Sequence, residues 1–175
     1  MTEFTGKIRP AAADDVPMIT RIYNQAVEEH IATCDLSDVP EDQRHAWLAR
    51  HTDPYGVWVA EDGHGIQGWV CISPYDAKPC FSRTATFATY VHRDARGSGV
   101  GTQLRTLMIE VARERGFHSL INRVWANNEA SIRLARKFGF EQVGHMRDLV
   151  FMEGEYIDCL FFQLMLTDST DDRRR

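Results

Sequence analysis

The most demanding stretch of the chain runs over residues 84–116, where a strand passes into a helix through a turn rich in glycine. Residues 84–91 are β-branched and aromatic, the composition of a strand. Beyond them Val100, Leu104, Leu107, Met108, Val111 and Ala112 recur at the spacing of one helical face, and Gly116 follows as the stop. Between the two lies Arg96-Gly97-Ser98-Gly99-Val100-Gly101. A loop that turns successive N–H groups toward one point needs backbone conformations and close approaches that a Cβ blocks. The first N–H groups of the following helix lack partners within it, and the helix dipole is positive at that end. The combination is a concave anion site suited to a phosphate or pyrophosphate, with Arg93 and Arg96 as charged donors at its rim.

The rest of the composition limits what such a site can serve. A chain of 175 residues, 43% apolar, is long enough for one substantial core. We expect a single domain over 1–167 and a polar, disordered tail over 168–175. A net charge of −5 argues against nucleic acid as a partner. The four cysteines contain no C-x-x-C pair and the seven histidines no ligand spacing, so no metal is expected and the thiols fit a reducing compartment. There is no signal-peptide pattern, and the densest apolar run, over 159–166, is too short for a bilayer. The expected setting is the cytoplasm, away from membranes.

Taken in order, residues 7–9 read as a short strand. Asp14 reads as the cap of a helix that carries Val16, Ile19, Ile22, Tyr23, Ala26 and Val27 on one stripe, with Pro17 in its first turn. After a loop over 34–40, residues 41–51 form a second helix with Trp47 and Leu48, where Trp47 is read first as core and second as a substrate contact. Residues 56–61 and 66–72 make a hairpin around Asp62-Gly63-His64-Gly65. A strand over 118–124 follows the long helix and runs parallel to 84–91 through a βαβ crossover. A short helix over 128–138 is stopped by Gly139, and 140–150 pairs with 156–166 in a final antiparallel hairpin.

The glycine turn is neither a dinucleotide fingerprint, because Thr102 stands where the last glycine belongs, nor a P-loop, because no Gly-Lys-Ser/Thr follows. It fits R/Q-x-x-G-x-G/A after a strand ending Tyr90-Val91-His92. In this it resembles the acyl-CoA signature of the GNAT superfamily of N-acetyltransferases. Asn127-Asn128-Glu129-Ala130-Ser131-Ile132-Arg133-Leu134, with Gly139-Phe140 beyond, resembles the family's N-x-x-S-x-x-L…G-F segment. The element order β-α-α-β-β-β-α-β-α-β-β matches as well. The resemblance implies an α/β fold with a central, mixed, twisted sheet and helices on both faces. It also implies acetyl-CoA as cosubstrate. Arg96, Gly97, Ser98, Gly99, Val100, Gly101 and Thr102 would hold the diphosphate, and Asn128 the pantetheine arm with Ser131 beside it. The backbone N–H near Val91 would bind the thioester carbonyl. The residues' own reading of Asn128 is a helix cap with Ser131 in its first turn, and the two roles are compatible.

A narrower resemblance spans nearly the whole chain. Ile8-Arg9-Pro10, Ile22-Tyr23-Asn24, Arg147-Asp148 and Asp158 before Phe161-Phe162-Gln163-Leu164 look like the phosphinothricin and methionine-sulfone acetyltransferase subgroup. Its members acetylate the α-amine of small amino-acid analogues, commonly as homodimers, and a homodimer is therefore implied. The chain departs from the subgroup where proton transfer is concerned. Thr86 stands where the subgroup has a Glu on the signature strand, Ala135 where a Tyr or His is frequent, and Met152 where many members have Lys. Thr is no general base at neutral pH, which leaves Thr86 the lesser role of positioning a water. An α-amine of pKa about 8 needs little help, since roughly one-tenth is neutral at pH 7. Glu28, Glu29, Asp35, Asp158 and His145 are the other candidates for a base.

Three functions follow as expectations. The first is acetyl transfer to a small amine, an amino acid or its analogue. The second is acetylation of a protein N-terminus or lysine, and the third is a CoA-binding sensor without catalysis. A closed cavity holding an Arg or Lys for a carboxylate favours the first, and an acidic groove favours the second.

Overall fold

The computed structural model describes residues 3–30 and 32–166. The elements follow the expected order: β1 (Lys7–Pro10), α1 (Val16–Glu29), α2 (Glu41–Ala49), β2 (Gly56–Asp62), β3 (Gly65–Pro74), β4 (Thr84–Val91), α3 (Val100–Glu114), β5 (Ser119–Trp125), α4 (Glu129–Lys137), β6 (Glu141–Met152) and β7 (Glu155–Met165). The strands hydrogen-bond in the order β1-β2-β3-β4-β5-β7-β6. Pairs β1/β2, β2/β3, β5/β7 and β6/β7 are antiparallel, while β4/β5 is parallel, as the crossover through α3 requires. The result is a mixed seven-stranded sheet. The tail expected over 168–175 lies outside the described residues. No described helix is long and apolar enough to cross a membrane.

Contacts group the chain into two compact units, Met1–Ser73 with Ala88–Met108 and Pro74–Phe87 with Ile109–Arg175. In the first, β2 is buried along five successive residues from Gly56, so its pattern is a continuous apolar run rather than an alternation. Ile19 and Ile22 of α1 pack with Val57, Val59, Ile66, Trp69 and Cys71, and the Trp69 indole N–H donates to the Ile19 carbonyl at 3.1 Å. The helical stripe read from the sequence is this buried face. The reading of Asp14 as the cap is corrected. Residues Ala13–Asp15 form a separate 3-10 turn, and Asp15 is the residue that precedes α1. The Asp15 carboxylate accepts the Ala12 N–H at 2.7 Å and two bonds from the Arg9 guanidinium, at 2.7 and 2.9 Å. Arg9 reaches Glu61 with its remaining donors, and this ties β1 to β2 and to the start of α1.

In the second unit, Phe117, Leu120, Val124, Phe140 and Phe162 are buried, and the Phe87 and Phe140 rings meet at 5.4 Å. The first residues of β4 pair with β5 from Thr84 opposite Ser119 to Thr86 opposite Ile121. Strand β6 is exposed along most of its length, and Val143, Met146, Leu149 and Phe151 on it, with Tyr156 on β7, stand open to solvent.

Candidate active site

The end of β4 and the start of α3 are held by α1. Gln25, buried on α1, accepts the Arg93 N–H through Oε1 at 3.0 Å. Its amide nitrogen lies 3.0 Å from His92 Nε2, and His92 Nδ1 accepts the Asp94 N–H at 3.3 Å. The His92 side chain is thus a brace for the turn. The turn itself takes Gly97 to φ 79° and Gly99 to φ 94°, the left-handed region that glycine enters without penalty. A Cβ on Gly99 would meet no atom within 4 Å, so the space in front of the turn is open. The leading N–H groups of α3 have no acceptor earlier in the helix and face this end of the dipole. Chain and helix approach closely here. A Cβ on Gly68 of β3 would lie 2.8 Å from the Tyr90 carbonyl oxygen and 3.0 Å from a Val100 methyl. The two rim arginines are engaged: Arg93 pairs with Glu28, and Arg96 with Glu29 at 2.8 Å. These carboxylates, candidates for a base by sequence, are the partners of the rim arginines.

A cavity of about 540 Å³ opens in the same unit, with Ala88 and Tyr90 of β4 in its wall. Tyr23, Asp35, Arg44, Trp47, Arg50, Trp69, Cys71 and Ser73 also line it. Trp47 therefore does both things asked of it, packing on the core cluster and facing the cavity. Arg44 is only 6% exposed. Its guanidinium carbon lies 4.1 Å from the Tyr23 ring centre, 4.8 Å from that of Trp47 and 5.9 Å from that of Trp69. Among the described residues no carboxylate pairs with it, and its Nε has no hydrogen-bond partner. The Tyr23 hydroxyl donates to Asp35, and burial together with that carboxylate raises its pKa. Tyr90 is pushed up further by burial. Both phenols therefore stay protonated at neutral pH.

Behind the cavity wall, His51 follows the end of α2. Its Nδ1 lies 2.8 Å from the Trp47 carbonyl oxygen and its Nε2 2.9 Å from Ser73 Oγ. Burial, with help from Arg50 and Arg44, lowers its pKa below the usual histidine value.

The remaining residues singled out by sequence lie in the second unit. Thr86 is half-buried on β4 opposite Ile121. Asn128 caps α4, its Oδ1 accepting the Ser131 N–H at 3.0 Å. Asp158 accepts the Asp148 N–H at 2.9 Å and pairs with His145 at 2.6 Å, and these bonds hold its pKa below the ordinary carboxylate value. Sequence reasoning missed Gln25, Arg44, His51 and Ser73. Only Arg44 had a signal, because Trp47 follows it at the i,i+3 spacing of one helix face.

A strand ending in a left-handed glycine turn, a helix N-terminus facing open space and a cavity in the same unit together form the candidate site. The sequence profile of the acetyltransferase (GNAT) family matches residues 19–140. The chain belongs to that family. It is a GNAT-type N-acetyltransferase, and its relatives and structural neighbours carry names that agree. A methionine sulfoximine/methionine sulfone acetyltransferase of Pseudomonas aeruginosa is 35% identical over 164 residues, which cover 93% of this chain and 95% of that one. The crystal structure of a GNAT phosphinothricin acetyltransferase from Sinorhizobium meliloti in complex with acetyl-CoA superposes with a TM-score of 0.90 at 28% identity, covering 95% of this chain and 91% of the other. A ribosomal-protein-alanine N-acetyltransferase structure from Brucella melitensis gives 0.87 at 37% identity, over 91% and 99%. Similarity thus reaches enzymes named for amino-acid analogues and one named for a ribosomal-protein alanine.

Proposed function

We propose that this GNAT enzyme transfers the acetyl group of acetyl-CoA to the α-amine of a small amino acid or analogue, of the phosphinothricin or methionine-sulfone type. The observation that carries the choice of acceptor is Arg44. A buried guanidinium without a carboxylate partner, set in the wall of a cavity sized for a small molecule, is suited to a ligand carboxylate. A long peptide has no carboxylate beside its terminal amine, and the cavity has no acidic lining beyond Asp35.

Acetyl-CoA is assigned to the glycine turn. The N–H groups of Gly97, Gly99, Val100 and Gly101, with Ser98, Thr102 and Arg96 beside them, take the diphosphate, and Asn128 and Ser131 take the pantetheine arm. The backbone at Val91 polarises the thioester carbonyl, which needs a positioned donor and no particular side chain. The neutral amine attacks that carbon, and holding both reactants together supplies much of the acceleration. Thr86 positions a water at most.

The same reading extends to a homodimer built on the exposed apolar face of β6 and β7, and to the cytoplasm, which suits cysteines kept as thiols at Cys34, Cys71, Cys80 and Cys159. The test is release of CoA thiol across a panel of amines. Turnover with L-methionine sulfone or phosphinothricin, and little with their carboxamides or with basic peptides, supports the reading. Turnover with peptides alone transfers the function to protein acetylation, and acetyl-CoA binding without any turnover leaves a sensor.

A further inference from the structure

The subgroup's acid on the signature strand is Thr86 here, so the proton released by the attacking amine needs another exit. We propose that Ser73 and His51 form that exit, with Ser73 Oγ meeting the acceptor's ammonium and His51 Nε2 receiving the proton through it. The inference rests on the acceptor occupying the cavity lined by Arg44, as proposed above.

The tautomer follows from the neighbours. A carbonyl oxygen only accepts, so the 2.8 Å contact with the Trp47 carbonyl fixes the proton of neutral His51 on Nδ1. Nε2 then presents its lone pair to the Ser73 hydroxyl at 2.9 Å. Ser73 lines the cavity and His51 stands behind it, so the hydroxyl is the link between the histidine and a bound amine. The ring also packs at a tilt of 52° against Trp47, with centres 4.4 Å apart, and this contact with its two hydrogen bonds fixes its orientation before substrate arrives.

Burial most strongly disfavours a proton on the ring. The Trp47 carbonyl acts the other way, and Arg50, just past the end of α2, and Arg44 on it repel the proton, so the net effect is a lowered pKa. From β3, Cys71 lies 3.7 Å from Ser73 Oγ, and burial raises its pKa, so it stays a thiol and adds no competing charge. His51 is therefore neutral and ready to accept at pH 7. In the step, an ammonium N–H proton passes to Ser73 Oγ as the hydroxyl proton passes to Nε2. The freed amine attacks the thioester carbon, the C–S bond breaks, and the proton lost by the new amide nitrogen goes to the thiolate. The imidazolium then returns its proton to water.

The experiment is the pH dependence of kcat/KM, from pH 6 to pH 10, for the wild type, His51→Gln, Ser73→Ala and Ser73→Thr, with acetyl-CoA binding followed by calorimetry. We expect His51→Gln and Ser73→Ala to lose about 100-fold at pH 7, within the range of general-base effects. That deficit narrows at least tenfold above the acceptor's own pKa, where the amine arrives neutral. Ser73→Thr, which keeps the hydroxyl, recovers most of the rate, and all four proteins bind acetyl-CoA alike. A deficit that stays constant with pH, no deficit, or the same narrowing produced by Asp35→Asn instead overturns the relay and leaves the acetyltransferase reading intact. A wild type that binds no acetyl-CoA and turns over no amine removes that reading, and the relay with it.

Discussion

The guanidinium of Arg44 lies over the ring of Tyr23, 4.1 Å from its centre, and 4.8 and 5.9 Å from the ring centres of Trp47 and Trp69. Aromatic faces attract the cation without neutralising it, so it keeps its capacity for a ligand anion. A hydrogen-bonded charge pair in such a setting contributes about 1.5–3 kcal/mol. Arg44→Gln is therefore expected to lower kcat/KM for a carboxylate-bearing acceptor roughly 10- to 150-fold. The KM for acetyl-CoA and the rate with the matching carboxamide should change little. Arg44→Lys should restore only part of the loss, because an ammonium lacks the planar fork. Equal losses for acid and amide would assign Arg44 to packing alone.

Gly68 is where β3 lets the end of β4 and the start of α3 come close. An alanine Cβ would lie 2.8 Å from a backbone oxygen, 3.0 Å from Val100 and 3.1 Å from Leu104, and the backbone atom cannot swing aside. Gly68→Ala should cost about 1–3 kcal/mol, as overpacking does, and lower Tm by several degrees in a thermal melt. An unchanged Tm would mean that this approach is looser than the geometry indicates.

Stability should fall in acid through Asp15. Hydrogen bonds from Arg9 hold its folded pKa below the ordinary value, with the Ala12 N–H adding to the effect. A depressed carboxylate stabilises the fold above its unfolded pKa of about 4 and loses that contribution as pH drops through the lower, folded value. Asp15→Asn should reduce stability at pH 7 by about 2 kcal/mol, and the difference from the wild type should shrink below pH 4. Denaturant melts at pH 7 and pH 3 measure both, and a pH-independent difference would remove the ion pair from the account.

Much of the fold could be read from the residues. The spacing of Val100, Leu104, Met108 and Ala112 gave α3 its buried face, and the β-branched run over 84–91 gave β4 its limits. Both are local patterns that burial enforces. Adjacent aspartates were not distinguishable in the same way, because only the position of Arg9 on β1 decides that Asp15, rather than Asp14, is tied down. The glycine turn was legible because its backbone demands are local. The cavity was not, because its chemistry comes from distant or ordinary-looking residues. Arg44 sits in a polar nine-residue helix and reads as a surface charge until the fold buries it. His51 and Ser73 meet across 22 positions of chain, with no spacing rule to join them.

A calorimetric titration with acetyl-CoA, run on the wild type and on Gly99→Val, bears most directly on the claim that the glycine turn holds the acyl donor. At φ 94° an L residue is strained, by about 1–2 kcal/mol in left-handed backbone, and its side chain would enter the open space before the turn. The expected result is saturable one-to-one binding to the wild type and a Kd at least tenfold weaker for Gly99→Val, with the variant still folded. Absence of binding to the wild type, or equal affinity in the two proteins, would contradict it.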